Sequence, residues 1–395
     1  MEKRYSLKFV LTLVFTASAL TCVLTLLAIG TQISTFLRGT NPVREYSALL
    51  SRIDEFYIGE YDESEVSAAA MRAAVYALGD RWSFYLSPEE YSEFLDDSNN
   101  RFSGIGVGVI IDEETGGMFV QSVYRGSGAE AAGLAVGDII IGIDGGDIAG
   151  LDLRDMRILL ARPFGDKVEL TVLRENGSLE YVTVVYDAVF VDPVSYEMLE
   201  SDIGYIALSN FDYGAAKSFI TAIEDLTADG ARAFIFDVRA NPGGRVTEMT
   251  AILDYLLPEG EIFVAVDRRG REIVTMSDAD CVDFSCIVLV DRNSYSAGEY
   301  FAALLREYNM AEIVGEQTTG KNHIQSTLSL PGGGALHIST GLYLTKNRIS
   351  LTDVGGVSPD YPITLTDEEF ALFMSGKLEK ALDPQLSKAV SLLQY

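Results

Sequence analysis

The sequence predicts a multidomain protein of mixed α+β and α/β class, with a helical N-terminal part, a β-rich module and an α/β layered core. The chain has 395 residues, of which 48% are apolar, so it can bury two or three separate cores. Apolar residues recur at helical spacing from 41 to about 100, and short strands bounded by glycines follow. Beyond Asp192, apolar strands alternate with amphipathic helices as far as Thr366, which is typical of an α/β layered domain. The predicted domains are 1–35, 36–101, 102–187, 188–370 and a helical segment at 371–395.

The N-terminus predicts a membrane anchor. Lys3, Arg4 and Lys8 precede a run without charge from Phe9 to Ile29, and as a helix this run would rise about 31 Å, enough to cross the hydrocarbon core. Positive charges before the run place the N-terminus in the cytoplasm and the domains after Gly30 outside it. The expected location is therefore the cell membrane, with a single span and extracytoplasmic domains. A cleaved signal peptide is the alternative, which the length of the run and the absence of an AxA-like site disfavour.

Charge and composition exclude several classes of function. The net charge of −28 argues against nucleic acid as a partner. The chain has two histidines and three cysteines and lacks HExxH and CxxC spacing, so no metal site and no cofactor are expected. Cys281 and Cys286 would lie in the outer compartment, where a disulfide is permitted, and the sequence leaves their pairing open.

The helical part before residue 101 is predicted to be a packing or dimerising arm. The alanine-rich stretch from Val66 to Leu78 carries an apolar stripe, and Ser87, Pro88 and Glu90 make a good helix start. No chemistry is assigned to this arm, and a homodimer is one possible consequence of it.

An acyl-transfer site without histidine is predicted between Asp291 and Gln325. The apolar run from Ile287 to Val290 indicates a buried strand, and Ser296 falls where a segment with helical spacing begins. At a helix N-terminus, unpaired N–H groups and the positive end of the dipole favour a developing oxyanion. Serine is also a preferred helix cap, so capping alone is the alternative role for Ser296.

Lys321 is the candidate base for this site. Apolar residues flank Lys321, so we expect its amine to be partly buried. Burial disfavours the ammonium form and so lowers the pKa, and a catalytic lysine requires a pKa lowered from about 10.4 to about 7 or 8. Gln325 follows four residues later, and its side-chain carbonyl could accept a hydrogen bond from the amine and orient it. The alternatives are a solvated loop lysine and an exposed glutamine on a strand.

A glycine-rich turn upstream is a candidate oxyanion-binding element. In the stretch FIFDVRANPGG, which begins at Phe234, a buried strand precedes a turn that contains Gly243 and Gly244. The two glycines would let the backbone approach another group closely. Taken alone, the stretch is also compatible with an ordinary turn.

Four segments resemble the carboxyl-terminal processing, or tail-specific, serine protease family. SYSAGE, GEQTTGKNHIQ, FIFDVRANPGG and GDRWSFYLSPEEYSEF resemble the family's SASASE, GxxTxGKGxxQ, DLRxNPGG and GDPYSxYLTPEEYxxF motifs. The resemblance implies a crotonase/ClpP-like protease core. It implies the following site residues: Ser296 as nucleophile, Lys321 as general base, Gln325 as its assistant, and N–H groups of Ala297 and of Gly243 or Gly244 as the oxyanion hole.

Residues 102–187 resemble a PDZ domain. GIGVGVII matches the carboxylate-binding loop of that fold, and AGLAVGDIIIGIDG matches its AGLxxGDxIxxING signature. A glycine-bounded loop exposes N–H groups that can hold a terminal carboxylate, while the edge strand pairs with the peptide. The residues expected to bind a peptide are Gly104, Ile105, Gly106 and Val107.

Some positions depart from the family's motifs. Tyr295 and Gly298 replace small residues beside the serine, and Asn322 replaces the glycine after the lysine. None of these changes removes a reacting group. In the PDZ-like part Arg162 is shifted by one place from the family's arginine, which leaves open whether it couples peptide binding to activation.

The sequence therefore predicts a membrane-anchored serine endopeptidase that acts outside the cytoplasm. Its PDZ domain would capture protein or peptide substrates with apolar C-terminal tails. One alternative is a membrane-tethered PDZ adaptor with an inactive protease-like core. Another is an α/β enzyme that uses the NPGG turn for acyl-CoA-type chemistry, which the PDZ motifs and the absence of a nucleotide-binding fingerprint disfavour.

Overall fold

The computed structural model describes residues 7–37, 42–124, 126–160, 162 and 164–394. The chain divides into two compact units, one up to Ser67 and one from Ala68 onward. The helices of the described residues are α1 (Leu7–Leu37), α2 (Pro42–Phe56), α3 (Glu63–Tyr76), α4 (Pro88–Ser98), α5 (Gly128–Ala131), α6 (Leu153–Leu160), α7 (Ala215–Ala228), α8 (Val246–Leu256), α9 (Ala297–Glu307), α10 (Asp367–Met374) and α11 (Pro384–Leu393). A short 3₁₀ helix, Lys380–Leu382, precedes α11.

The strands of the described residues form four sheets. They are β1 (Phe84–Leu86), β2 (Arg101–Gly104), β3 (Val107–Ile111), β4 (Met118–Val123), β5 (Ile139–Ile143), β6 (Gly146–Asp147), β7 (Lys167–Leu173), β8 (Leu179–Val185), β9 (Asp187–Phe190), β10 (Val194–Leu199), β11 (Ile203–Leu208), β12 (Ala233–Asp237), β13 (Gly260–Asp267), β14 (Glu272–Ser277), β15 (Ser285–Val290), β16 (Ala311–Gly315), β17 (His323–Ser329), β18 (Ala335–Leu344) and β19 (Tyr361–Pro362).

The structure does not support the membrane anchor predicted at the N-terminus. The uncharged run from Phe9 to Ile29 lies in α1. In the part of the chain that the structure describes, no helix is long and apolar enough to cross a membrane. Lys3 and Arg4, which predicted the orientation, lie outside the described residues.

Residues 107–185 form a β-rich module around one sheet. Its strand order is β3-β4-β5-β7-β8, with β6 paired to β5. Alternate residues of β7 and β8 point inward, and Met156 of the amphipathic helix α6 is buried with them. The antiparallel pair β2-β9 frames the two ends of this module in the sequence. Arg162 forms an ion pair with Asp144 at 2.5 Å.

The largest core surrounds a six-stranded sheet of order β10-β11-β12-β15-β16-β19. Strands β11, β12, β15, β16 and β19 run parallel, so β12 and β15 are buried on both faces, as such strands usually are. On one face the sheet contacts α7, α8 and α9, where Phe219, Phe236 and Phe301 lie with ring centres 5.0 to 6.0 Å apart. On the other face it contacts Leu386 and Ala389 of α11.

The topology of this sheet places two loops side by side. Strands β12 and β15 are parallel neighbours, with Asp237 opposite Leu289. Their carboxyl ends therefore lie at the same edge of the sheet, where ligands bind in open α/β sheets. The loop after β12 contains the NPGG turn, and the loop after β15 contains Ser296.

A second sheet has the order β1-β18-β13-β14, and β17 pairs with β18. Among the described strands β18 is the one partner of β17, so the other edge of β17 is unpaired. Strand β1 pairs with the start of β18, which ties the segment around residues 80–86 to the core.

The two cysteines whose pairing the sequence left open do not form a disulfide. Cys286 is buried on β15, and Cys281 is exposed in the preceding loop. Burial raises the pKa of the Cys286 thiol, which keeps it protonated and unreactive.

Candidate active site

Ser296 lies at a strained turn between β15 and α9. It occupies the N-cap of α9 with φ 56° and ψ −123°. A positive φ is unfavourable for a residue with a side chain, and such strain is often found at functional sites. A comparable strand-to-helix turn exposes the nucleophile of α/β hydrolases. The N–H of Tyr295 donates to the carbonyl of Asn241 at 3.0 Å, which fixes this turn against the NPGG turn.

Only a glycine at position 243 allows this close approach. Gly243 has φ 97°, and a Cβ on it would lie 2.7 Å from Cβ of Ser296, 2.8 Å from N of Ala297 and 3.0 Å from Oγ of Ser296. A side chain at position 243 would therefore fill the space between the serine hydroxyl and the first N–H of α9.

The hydrogen bonds distinguish between the two glycines that the sequence left as alternative donors. The N–H of Gly243 donates to Oδ1 of Asn241 at 2.8 Å. By contrast, the N–H groups of Gly244 and Ala297 have no acceptor among the described residues. Gly244 is exposed and has φ 145°. Among the described residues, Gly244, which lines the same cavity as Ser296, and Ala297, which follows Ser296 in the chain, therefore offer uncommitted N–H groups.

Lys321 has the properties of a lysine that can lose its proton. Lys321 is 8% exposed. Burial lowers the pKa of its amine to about 8, and the positive charge of Arg81 makes a smaller contribution in the same direction. The carboxylates of Glu299 and Asp80 act in the opposite direction. Nζ lies 4.4 Å from the ring centre of Trp82. A base with a pKa near the working pH is suited to proton transfer.

The predicted catalytic side chains share one cavity. This cavity has a volume of about 740 Å³, and its walls include Ser296, Lys321, Gln325, Gly243 and Gly244. In the described part of the chain no hydrogen bond joins Gln325 to the amine of Lys321. Instead, the side-chain amide of Gln325 donates to Oγ of Ser339 at 3.4 Å. The structure thus brings the serine, the lysine and the glycine turn together and directs the glutamine amide elsewhere.

Sequence reasoning missed Glu299, which connects the serine turn to the lysine loop. Its buried carboxylate accepts hydrogen bonds from the N–H groups of Ser296 (3.2 Å), Gly320 (2.8 Å) and Lys321 (2.6 Å) and from the hydroxyl of Thr318 (2.6 Å). Burial raises the pKa of Glu299, while these hydrogen bonds oppose that shift. A glutamate three residues after an N-cap serine is a capping-box signal, and this signal was present in the sequence.

We expect Glu299→Gln to weaken the site in two measurable ways. In the glutamine, an amide nitrogen replaces one of the two oxygens that accept hydrogen bonds, and this nitrogen cannot accept them. The free energy of unfolding should therefore fall by about 1–3 kcal/mol. Loss of the negative charge should lower the Lys321 pKa, which moves the acid limb of the activity profile to lower pH. Urea unfolding and a pH–rate profile measure both effects. Glu307→Gln, on the same helix but outside the cavity, is the control for the pH–rate profile, because Glu307 also accepts hydrogen bonds, from Thr345 and Asn347. An identical acid limb in the two variants would contradict this role.

The segment from Gly79 to Phe94, to which the sequence assigned no chemistry, also lines the cavity. Trp82 lies beside Lys321, while Phe84 and Phe94 contribute apolar wall. Because this segment is distant in the sequence from Lys321, only the pairing of β1 with β18 reveals the contact.

Both histidines of the chain lie at the same cavity. His337 stacks on Phe84 with ring centres 4.6 Å apart, and burial lowers its pKa to about 4, so it is neutral at neutral pH. Nδ1 of His323 is buried and has no hydrogen-bond partner in the described part of the chain. Sequence reasoning assigned no role to either histidine.

The predicted peptide-binding loop precedes an open strand edge. Gly106 has φ 86°, and a Cβ on it would lie 2.1 Å from Cβ of Ser127, so glycine is required there. Ile105 is buried in the core of the module, and Val107 is half-buried. Among the described strands β3 pairs with β4 alone, so its outer edge is unpaired, as peptide addition to a sheet requires. Gly104 ends β2, immediately before the loop.

Comparisons with known proteins agree with this architecture. The family model for Peptidase family S41 matches residues 202–363, and the model for the PDZ domain matches residues 94–173. The chain is 30% identical over 335 residues to a carboxyl-terminal-processing protease of Synechocystis sp., covering 83% of this chain and 77% of that protein. It is 27% identical to the carboxy-terminal processing protease CtpA of Bacillus subtilis, covering 75% of this chain and 64% of that protein.

A solved structure from Bacteroides fragilis, assigned to the S41 proteases, has the same fold. Its TM-score is 0.53 at 18% identity, and the match covers 85% of this chain and 92% of that chain. The predicted mixed α+β multidomain class with a PDZ domain is thereby confirmed, while the crotonase/ClpP-like layering stays a prediction. The extent and identity of these matches show that the chain belongs to peptidase family S41, the carboxyl-terminal processing serine peptidases.

Proposed function

We propose that the chain is a serine endopeptidase in which Ser296 is the nucleophile and Lys321 the general base. One observation carries the proposal: a single cavity contains the strained serine, a buried lysine with a pKa of about 8 and the exposed N–H edge of the glycine turn. A hydroxyl requires an adjacent base to become a good nucleophile, and a lysine buried beside it supplies one.

The proposed reaction has two halves. Neutral Lys321 takes the proton of the Ser296 hydroxyl, and Oγ attacks the carbonyl carbon of a peptide bond. The N–H groups of Gly244 and Ala297 bind the negative oxygen of the tetrahedral intermediate. The C–N bond then breaks, and Lys321 gives its proton to the leaving amine. In the second half water attacks the acyl-enzyme, Lys321 takes the water's proton, and Ser296 regains its hydrogen as the carboxylate product leaves.

Gln325 would orient the amine of Lys321 if its side chain turned from Ser339 into the cavity. Both residues line the same cavity, and the proposed change is one of the Gln325 side-chain rotamer. In apo structures catalytic hydrogen bonds are often long and tighten when substrate binds.

The substrate is proposed to be an unfolded protein with an apolar C-terminal tail. The PDZ domain would hold the tail at the loop from Gly104 to Val107 and along the open edge of β3. The scissile segment would lie along the unpaired edge of β17, where Ile324 and Thr327 line the catalytic cavity. An extended chain fits there because β17 presents unpaired backbone groups to it.

The test is cleavage of an unfolded reporter polypeptide that ends in an apolar tail. We expect cleavage by the full chain and a loss of about 10³-fold or more in kcat for Ser296→Ala and for Lys321→Ala. Lys346→Ala, which removes a lysine stacked on Tyr308 outside the cavity, should keep full activity. Replacing the tail by aspartates should raise KM.

Two outcomes would contradict the proposal. Activity of Ser296→Ala or of Lys321→Ala equal to that of the unsubstituted chain would exclude the proposed mechanism. Binding of the tail by the PDZ domain without any turnover would instead favour an adaptor with an inactive protease-like core.

The location of the enzyme stays a prediction from the sequence alone. It rests on the basic residues before the uncharged run from Phe9 to Ile29. Carbonate extraction and protease accessibility in whole cells would check membrane tethering and an extracytoplasmic site. Assembly into a homodimer is likewise a prediction, which sedimentation velocity would check.

A further inference from the structure

Arg81 is an exposed cation at the catalytic cavity, without an ionic partner among the described residues. It lines the cavity together with Lys321, and it makes no hydrogen bond or ion pair with any residue that the structure describes. Its guanidinium carbon lies 4.1 Å from the ring centre of the neighbouring Trp82. In the family motif quoted above, these two positions are proline and tyrosine.

Trp82 places this guanidinium close to the lysine amine. Nζ of Lys321 lies 4.4 Å from the same ring centre. The guanidinium carbon of Arg81 and Nζ of Lys321 therefore lie no farther apart than the sum of their distances to the ring centre. This sum is less than the ~10 Å Debye length at 0.1 M ionic strength. At such a separation two like charges repel each other appreciably even beside water.

The titratable groups that face Lys321 come from three parts of the fold, and the cavity is also lined by Asp212, Arg245 and His323. Glu299 on α9 and Asp80 in the segment before β1 are anionic and favour the ammonium form. His337 on β18 also faces it and is neutral at neutral pH. Arg81 is the cation that faces Lys321 from the segment before β1 and opposes the two carboxylates. Without Arg81, only the burial of Lys321 would oppose the effect of the two carboxylates on the Lys321 pKa.

We propose that Arg81 is a positioning residue that keeps Lys321 uncharged, through the repulsion of its guanidinium, held on Trp82, with the lysine ammonium. The inference rests on the proposed role of Lys321 as general base. It deepens that role because it names what sets the pH at which the base works. Arg81 itself contacts no reacting atom.

Removal of the charge should change the pH dependence of the enzyme rather than its maximum. In Arg81→Ala and Arg81→Gln the ammonium form is favoured, so the acid limb of kcat/KM should move to higher pH by roughly half a unit. At pH 7 the activity should then fall about threefold, whereas above pH 9.5 it should equal that of the wild type, with KM unchanged. Arg81→Lys should restore the wild-type profile. High salt should shift the wild-type limb toward that of Arg81→Ala.

A second measurement separates this inference from the proposed proteolysis. In the Ser296→Ala protein, which has no nucleophile, the rate of acetylation of Lys321 by acetic anhydride is followed against pH by mass spectrometry of the peptide. The midpoint should be higher with Arg81→Ala than without it, whether or not the enzyme cleaves any substrate. Arg292→Ala is the matched control, because it removes an arginine stacked 4.3 Å from Phe370 that does not line this cavity.

Identical midpoints and identical acid limbs in Arg81→Ala and the wild type would overturn the inference. A change confined to KM, with the limb unmoved, would also overturn it, because Arg81 would then contact substrate. If Lys321→Ala keeps full activity but the acetylation midpoint still moves, the inference on Arg81 holds and the proposed base does not.

Discussion

Replacing Gly243 by alanine is expected to abolish turnover and leave the fold intact. The added Cβ would lie 2.7 Å from Cβ of Ser296 and 2.8 Å from N of Ala297, so the serine turn and the glycine turn must move apart. The proposed oxyanion position between Gly244 and Ala297 would then lose its geometry. Loss of one oxyanion donor costs about 10²–10³-fold in kcat, and here both donors are displaced together. We therefore expect a loss of at least about 10³-fold in kcat, with KM for the substrate tail unchanged.

A matched glycine separates this effect from backbone strain. Gly230 has φ 104°, close to the 97° of Gly243, but a Cβ on it would meet no atom within 4 Å. Gly230→Ala should therefore lower the free energy of unfolding by about 1–2 kcal/mol, from the positive φ alone, and keep kcat. Steady-state kinetics and urea unfolding of both variants provide the comparison. Normal kcat in Gly243→Ala would refute the proposed oxyanion site.

Replacing Arg239 by methionine is expected to cause the largest loss of stability. Its side chain is 2% exposed and pairs with Asp237 at 2.5 Å and Asp383 at 2.7 Å, both of them buried. It also donates to the side chain of Gln385 at 2.9 Å and lies 4.3 Å from the ring centre of Phe373. Burial would lower the pKa of Arg239, but the two carboxylates raise it above its ordinary value, so the guanidinium is charged.

Methionine would leave two buried carboxylates without a counter-ion, which costs about 3–5 kcal/mol. Because Arg239 directly precedes the glycine turn and binds residues just before and within α11, kcat should fall as well. Arg232→Met is the control: its ion pair with Asp202 spans 3.6 Å at the surface and should contribute less than about 1 kcal/mol. Equal unfolding midpoints in urea for the two variants would show that the buried cluster does not hold the C-terminal segment to the sheet.

Much of the candidate site could be predicted because its signals are local in the sequence. The run from Ile287 to Val290 and the spacing after Ser296 predict a strand followed by a helix, and the structure has β15 and α9 there. The NPGG residues indicate a turn whatever surrounds them, since glycine is the residue that tolerates positive φ at no steric cost.

Other parts could not be predicted because they depend on contacts between distant segments. Nothing near Trp82 in the sequence indicates that its ring lies beside Lys321, since the pairing of β1 with β18 creates that contact. The membrane anchor was predicted from apolar composition, and the described part of α1 does not support it. A run of apolar residues favours burial of the helix, but it does not determine which groups surround the helix.

The residue types of the proposed chemistry and their order can be read from the chain without its fold: a serine at a helix start, a lysine with apolar flanks, a glycine turn and a carboxylate-binding loop. Three features depend on the folded chain: among the described residues Gly244 rather than Gly243 has an uncommitted N–H, Glu299 joins the serine turn to the lysine loop, and Arg81 faces the amine. Backbone preference and motif spacing act between near neighbours, whereas burial, hydrogen-bond partners and charge repulsion depend on which distant segments the sheet brings together.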